Sequence, residues 1–293
     1  KGNLDDLRIY NRDLNGSEIA GLAVPVSVNQ GMVAYYPFNG NGNDESGVGN
    51  HGTIQGTVVI DSDRFGQASA YYFNNGQITA SGENNLPVGT EDFSIHLFMT
   101  TQGNSPVPYL PGQGVMVSNG NLNQFQLYYD ASNDRIEFYT GGQKILQSPK
   151  LNITQTGQHW YAVSLVRAGN TFTLYLNGSE VISTISALGN DAPVGSRKLH
   201  LGRRADGQLP WKGKMDNVRV YNRALSKGEV GKLSGILLNE ALLADYPLDG
   251  NGSDISGFQR NASVVGATPV ADRNGASGKA FILDGDDHLI ATV

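Results

Sequence analysis

The chain has 293 residues, of which 39% are hydrophobic and 16% charged, so it is long enough to bury a sizeable core and is not disordered. Its formal net charge of −6, from 21 basic and 27 acidic residues, argues against nucleic acid as a partner. The absence of any 18-residue apolar run predicts no membrane insertion, and the absence of cysteine excludes disulfides and thiolate metal sites.

A long internal repeat is the most informative feature of the sequence. The first 22 residues, KGNLDDLRIYNRDLNGSEIAGL, match residues 212–233 at an offset of 211, with ten identical positions. A second match, at an offset of 210, relates AYYPFNGNGNDESG to ADYPLDGNGSDISG. Two offsets this close indicate one repeat unit. We therefore predict three segments: the C-terminal tail of a preceding repeat at 1–23, a complete repeat at 27–234, and the N-terminal part of a following repeat at 236–293.

Within the complete repeat, short segments alternate between apolar and polar residues and are separated by clusters of Gly, Asn, Asp and Pro. This pattern predicts half-buried β-strands and an all-β sandwich. In chain order the predicted strands are MVAYYPF, FSIHLFMT, NQFQLYYD, RIEFYT, WYAVSLVR, TFTLYLNG, KLHLG and MDNVRVY. After them, Ser226 and Glu229 in LSKGEVGKL predict one short helix that begins with a capping box.

The order of these motifs resembles a known family. WYAVSLVRAGNTFTLYLNG, followed by KLHLGRRADG and KGKMDNVRVYNRALSKGEV, is similar to the laminin-G-like domains of the concanavalin A-like jelly-roll type, which are common in bacterial extracellular proteins. YYPFNGNGNDESGVGNHGT matches the first strand and loop of that family. The resemblance implies tandem two-sheet antiparallel jelly-roll sandwiches with adjacent first and last strands. It also implies an extracellular or cell-surface location.

The adjacency of the first and last strands predicts a metal site. If these strands pair antiparallel, Asp216 lies near the Gly-rich loop that contains Asp44 and Asn50. Oxygen ligands on a flexible loop suit a hard cation, so we predict that these three residues bind a structural Ca²⁺ ion, which the family resemblance also implies. The alternative is that Asp44 and Ser46 fix an Asx-type turn and that Asp216 caps a strand end by hydrogen bonding.

The sequence does not predict catalysis. Retaining glycoside hydrolases that resemble this sandwich place two Glu and one Asp on one strand as E-x-D-x-x-E. This chain has no such stretch. Glu91 and Asp92 are adjacent and would point to opposite faces of a strand. His96 alternates with Phe98 on a predicted strand, which favours a core or sheet-face residue over a base. We therefore predict that the chain is not an enzyme.

Glycan binding is the positive prediction. Sugar sites commonly combine an aromatic platform with planar polar side chains. The segment TQGNSPVPYLPGQG carries three prolines and Tyr109, which is our candidate for an exposed ligand contact. The alternative is a Pro-rich connector in which Tyr109 covers a sheet edge. Trp160 and Trp211 match structural aromatic positions of the family, so we expect both in the core.

Two functions follow from these features. The first is a non-enzymatic structural and adhesive module of a cell-surface adhesin or filament, with calcium-stabilised sandwiches and strand contacts to other copies of the chain or neighbouring repeats. In that arrangement LDDLRIY of one chain adds to the ADYPLDG edge of the next. The second is a carbohydrate-binding module of a polysaccharide-degrading enzyme. The repetition of similar units favours the first.

Overall fold

The computed structural model describes residues 1–14, 16, 19, 22, 28–102, 113–120, 125–188, 197–235, 242–256 and 258–291. The chain divides into two compact units. We call residues 16–234 the central unit, and residues 1–15 together with 235–293 the split unit. The split unit therefore combines segments that the sequence analysis assigned to a preceding and a following repeat.

The described strands, in chain order, begin with β1 (Gly2–Leu4), β2 (Leu7–Tyr10), β3 (Met32–Tyr36), β4 (Gly52–Gln55), β5 (Val58–Asp61), β6 (Ala70–Asn74), β7 (Gln77–Ala80), β8 (Phe93–Met99), β9 (Gln113–Ser118), β10 (Gln126–Asp130) and β11 (Arg135–Thr140). They continue with β12 (Gln143–Gln147), β13 (Tyr161–Ala168), β14 (Thr171–Leu176), β15 (Ser179–Ile185), β16 (His200–Leu201), β17 (Lys212–Tyr221), β18 (Leu242–Tyr246), β19 (Ser263–Val265), β20 (Thr268–Val270), β21 (Ala280–Leu283) and β22 (His288–Ile290). A helix, α1 (Lys227–Leu233), follows β17.

Two antiparallel sheets form the central unit. One has the strand order β12-β11-β10-β9-β16-β7-β4, and the other has the order β15-β14-β13-β8-β17-β6-β5, with β3 also paired to β17. These sheets confirm the two-sheet antiparallel sandwich that the sequence predicted. Each of the eight segments predicted as strands contains an observed strand.

The core lies between the two sheets. It contains a cluster of aromatic rings in which neighbouring centroids are 5.5 to 6.4 Å apart, formed by Phe93, Phe125, Phe138 and Phe172. Trp211 is buried as expected, whereas Trp160 is only partly buried. Burial of large apolar rings on both inner sheet faces is the main stabilising contribution to this unit.

Strand β17 connects the two halves of its sheet. Along one edge it pairs with β8, and along the other it pairs first with β6 and then with β3. The partner changes at a bulge, where Asn217 has a positive φ of 52° and the register with β8 shifts between Asp216 and Arg219. The β3–β17 ladder confirms the predicted adjacency of the first and last strands.

The short helix α1 follows β17 and starts as the sequence predicted. The Ser226 hydroxyl accepts a hydrogen bond from the Glu229 N–H, and the Glu229 carboxylate accepts one from the Ser226 N–H at 2.8 Å. Val230 and Leu233 then pack against Tyr221 on the outer face of the β17 sheet. Among the described helices, none has the length and apolar character needed to cross a membrane.

The split unit reproduces four strand pairings of the central unit. The β2–β18 pair corresponds to β17–β3, and β1–β21 corresponds to β17–β6. Likewise, β20–β21 corresponds to β5–β6, and β19–β22 corresponds to β4–β7. In the β2–β18 ladder Arg8 pairs with Asp245, and at the same position of the β17–β3 ladder Arg219 pairs with Tyr35. In both ladders the register shifts after the next residue pair. The LDDLRIY strand predicted to join another chain therefore pairs with the ADYPLDG strand of its own chain.

We expect Phe138→Ala to destabilise the central unit by about 3–5 kcal/mol, because the substitution leaves a cavity among four packed rings. Chemical denaturation followed by tryptophan fluorescence measures this change. Ile185→Ala, at a side chain that is 81% exposed, is the control and should change stability by no more than about 0.5 kcal/mol. Equal losses in the two variants would contradict this description of the core.

Candidate functional site

Asp44 organises the loop that follows β3. Its side chain is buried, and its Oδ1 accepts hydrogen bonds from the backbone N–H groups of Tyr35 at 2.8 Å and Ser46 at 2.9 Å. Its Oδ2 accepts from the Ser46 hydroxyl at 2.9 Å and from the N–H groups of Gly49 at 3.2 Å and Asn50 at 2.8 Å. One carboxylate thus joins the end of β3 to both sides of the loop.

Asn50 connects the Asp44 loop to the loop between β7 and β8 by hydrogen bonds. Its side-chain amide donates to the Val33 and Asn84 carbonyls, each at 2.9 Å, and its Oδ1 accepts from the Asn84 N–H at 3.0 Å. The Tyr36 hydroxyl donates to the Asn50 carbonyl at 2.6 Å. Asn50 is fully buried and therefore acts as a brace between the two loops.

Asp216 lies at the β17 bulge and contacts other groups. Its Oδ2 accepts from Arg64 Nη1 at 2.7 Å and from Asn217 Nδ2 at 2.9 Å, whereas its Oδ1 is buried and has no partner among the described residues. Burial raises the pKa of Asp216 to about 6, against the opposing effects of the Asn217 hydrogen bond and the Arg64 charge.

The contacts of the predicted calcium ligands are hydrogen bonds and one ion pair. The oxygens of Asp44 accept from five donors, and Asp216 Oδ2 pairs with a cation, whereas Asp216 Oδ1 has no partner among the described residues. The contacts of Asp44 and Ser46 are those of the alternative interpretation, a side-chain-capped turn. Calcium bound by Asp44, Asn50 and Asp216 stays a prediction. Tyr109, the predicted ligand contact, lies outside the described residues.

A group of three acidic side chains occurs in the split unit. The carboxylate oxygens of Asp284, Asp286 and Asp287 lie within 4.8 Å of one another at the turn between β21 and β22. Asp287 already accepts a hydrogen bond from the Asp284 N–H at 2.8 Å. The corresponding turn of the central unit, between β6 and β7, carries no acidic residue.

An open cleft in the central unit was not predicted from the sequence. It has a volume of about 620 Å³ and is lined by Glu83, Asn85, Leu86, Val88, Glu91, Asp92, Arg197 and Asn222. Most of these residues belong to the segment between β7 and β8, whose sequence, GENNLPVGTED, has no strand or helix pattern. The one sequence feature that could have indicated the cleft is the concentration of acidic and amide side chains in this short loop.

Buried polar groups hold the wall of the cleft. The Asn50 brace fixes Asn84, which lies between two lining residues. The Val88 N–H donates to Glu91 Oε2 at 2.9 Å, and Arg167, which is fully buried, donates to the Gly89 carbonyl at 3.2 Å. The loop is thus anchored along its whole length, which presents its side chains in a fixed arrangement.

Planar polar groups dominate the chemistry of the cleft. The lining carries three carboxylates, Glu83, Glu91 and Asp92, and one guanidinium, that of Arg197. The backbone N–H of Arg197 donates to Glu83 Oε1 at 2.8 Å, and the side-chain Nε of Arg197 lies 3.8 Å from Glu83 Oε2. Asp92 accepts from the Gly169 N–H at 2.6 Å. Carboxylates and amides with remaining acceptor capacity are suited to bind neighbouring hydroxyl groups.

Comparison with protein families identifies the sandwich. The family model described as the concanavalin A-like lectin/glucanases superfamily, of the laminin-G type, matches residues 73–231. This match covers more than half of the chain and confirms the resemblance seen in the sequence. No curated protein matches the chain.

Solved structures share the fold at low identity. Domain 4 of AbnA, a GH43 extracellular arabinanase from Geobacillus stearothermophilus, in complex with arabinotriose, has a TM-score of 0.53 and 17% identity, over 69% of this chain and 98% of that one. The binding domain of Paraclostridial Mosquitocidal Protein 1 has a TM-score of 0.58 and 16% identity, over 73% of this chain and 54% of that one. The botulinum neurotoxin type G receptor-binding domain has a TM-score of 0.52 and 16% identity, over 72% and 52%.

We expect Asp44→Ala to destabilise the central unit by about 2–4 kcal/mol, because five donors lose their acceptor and several of them are buried. Thermal unfolding in calcium and in chelator should show the same loss. Glu45→Ala, at the adjacent exposed side chain, is the control and should have little effect. A loss seen only when calcium is present would contradict the turn and support the ion.

The raised pKa of Asp216 makes the stability of the central unit depend on pH. The pKa of this carboxyl in the folded chain, about 6, lies above the unfolded value of 3.8, so folding takes up a proton. The resulting stabilisation is fully present below pH 3.8 and is lost as the pH rises through 6. The stability of the wild type relative to Asp216→Asn should therefore fall by about 1–3 kcal/mol between pH 4 and pH 7. Denaturation at several pH values tests this, and a constant difference would contradict it.

Proposed function

Because the chain belongs to the concanavalin A-like lectin/glucanase superfamily, we propose that its central unit is a non-catalytic glycan-binding module. The observation that carries this proposal is the braced, polar cleft between the β7–β8 loop and Arg197. Its side chains offer paired acceptors, amide donors and one guanidinium on a rigid frame. Vicinal sugar hydroxyls, which donate and accept within a short distance, match this pattern.

The charge of the cleft indicates the class of glycan. Three carboxylates against one guanidinium give the lining a net negative charge, which disfavours uronic acids, sialic acids and sulfated sugars. The lining residues within the described ranges include no aromatic ring, so recognition in the cleft rests on hydrogen bonds. We therefore assign neutral oligosaccharides to the cleft.

The environment of the polar groups supports binding rather than catalysis. His96 is fully buried, its Nδ1 lies 2.8 Å from the Ser164 hydroxyl, and burial lowers its pKa well below the usual 6.5. A neutral, inaccessible imidazole does not act as a base on a bound sugar. In the cleft, Glu91 accepts from the Val88 N–H of its own loop and Asp92 accepts from the Gly169 N–H of the β13–β14 turn, which fits a structural and binding role.

The structural neighbours are consistent with this proposal and with an extracellular setting. One is described in complex with arabinotriose and belongs to an extracellular arabinanase, another is the binding domain of a mosquitocidal protein, and a third is the receptor-binding domain of a botulinum neurotoxin. The module fits either of the two settings that the sequence suggested: an adhesive repeat at a cell surface or a carbohydrate-binding module of a polysaccharide-degrading enzyme. The strand register shared by the split and central units favours the repeat. In that setting neighbouring repeats or other copies of the chain are its protein partners, and calcium remains an additional proposed ligand.

Glu91→Gln and Arg197→Ala should each weaken binding of neutral oligosaccharides by about tenfold or more, because each removes a charged hydrogen-bonding group. The wild type is first screened on an array of neutral and acidic oligosaccharides, and calorimetry with the tightest neutral binder then measures the affinities. Lys279→Ala, at an exposed residue of the split unit, is the control and should bind as the wild type does. Unchanged affinity in both cleft variants would refute the cleft as the binding site.

A further inference from the structure

Two aromatic rings stack on arginines on the outer face of the β17 sheet. The guanidinium carbon of Arg64 lies 4.5 Å from the centre of the Phe65 ring, and that of Arg219 lies 4.1 Å from the centre of the Tyr35 ring. We call these four residues the aromatic platform. None of them lines the cleft.

The strand bulge at Asp216 and Asn217 holds the platform. Asp216 binds Arg64 at 2.7 Å, whereas the Asn217 Oδ1 accepts from the Tyr35 hydroxyl at 2.7 Å and from Arg219 Nη2 at 3.2 Å. Asn217 Nδ2 in turn donates to Asp216 at 2.9 Å. The two arginine–ring pairs are therefore held side by side by consecutive residues.

Phe65 is presented to solvent as a fixed ring. Its N–H donates to Asp63 Oδ1 at 2.8 Å, and the Arg64 guanidinium beneath it is itself stacked on the buried Phe98 ring at 3.9 Å. Nevertheless, 63% of Phe65 is exposed. An apolar ring held in place in this way, with its outer surface open, is a feature of ligand-binding surfaces.

The split unit shows that the fold does not require these rings. Its Asp272 makes the same turn as Asp63, with Asn274 at the position of Phe65. Opposite Arg8, the counterpart of Arg219, it has Asp245 instead of Tyr35, and the two form an ion pair at 3.0 Å. The same register forms with polar residues at both positions.

We propose that the aromatic platform of the central unit is a second saccharide contact, in which Phe65 stacks on the apolar C–H face of a neutral sugar ring. The Tyr35 hydroxyl and the Arg219 guanidinium lie beside it to hydrogen-bond the hydroxyl edge. This assignment rests on the proposed glycan-binding function. It adds a stacking contact to a module whose described cleft lining has none.

The size and surroundings of the platform favour a sugar over a protein partner. A stable protein interface buries roughly 800 Å² on each partner around an apolar centre. Here Phe65 is the one strongly exposed ring of the platform, and the other three members are a half-buried tyrosine and two half-buried arginines. A sugar ring combines an apolar face with a polar edge, which match the exposed ring and the polar groups of the platform.

Phe65→Asn is the test, because Asn274 shows that the turn accepts asparagine. Calorimetry with the neutral oligosaccharide that binds the wild type most tightly on an array should show at least a tenfold loss of affinity. Phe65→Trp, which keeps a stacking ring, should retain binding. Ile185→Asn, at an exposed apolar residue outside the platform, is the matched control and should bind normally.

The cleft variant Glu91→Gln separates this proposal from the proposed function. Loss of binding in Glu91→Gln with unchanged affinity in Phe65→Asn would overturn the platform and leave the cleft standing. Loss in Phe65→Asn with unchanged affinity in Glu91→Gln would support the platform and overturn the cleft. A wild type that binds no oligosaccharide would overturn both.

Discussion

The ladder formed by β17 is the interaction on which the rest of the central unit depends. This strand pairs with β8 along one edge and with both β6 and β3 along the other, so it joins the first and last parts of the unit. The bulge at Asp216 and Asn217 is where its partner changes, and a positive φ at Asn217 makes room for the change. The same segment supplies the ion pair with Arg64 and the hydrogen bonds that order Tyr35 and Arg219. One backbone irregularity thus determines both the sheet topology and the surface above it.

The strand pattern could be predicted from the sequence because alternating apolar residues mark strands such as FSIHLFMT. The side-by-side first and last strands were implied by the family resemblance, and the β3–β17 ladder confirms them. The turn around Asp44 was also foreseen, as one of two interpretations, since Asp and Ser two residues apart bond to nearby backbone groups.

The candidate site could not be predicted because its contacts join distant parts of the chain. The Asn50 brace reaches Asn84, and Arg64 reaches Asp216 across 152 positions. A sequence pattern shows which residues can pair but not which partner lies within reach after folding. For the same reason the ion pair between Asp216 and an arginine from the β5–β6 loop could not be predicted. The surface contribution of Phe65 is visible only when the two units are compared position by position.

The central claim is that the central unit binds neutral sugars in the cleft. The most direct measurement is a titration of the ¹⁵N-labelled chain with the tightest-binding neutral oligosaccharide, followed by the amide chemical shifts. The account predicts shifts at residues 83–92 and at Arg197, the segments that line the cleft. Shifts confined to other parts of the chain, or none at saturating sugar, would contradict it.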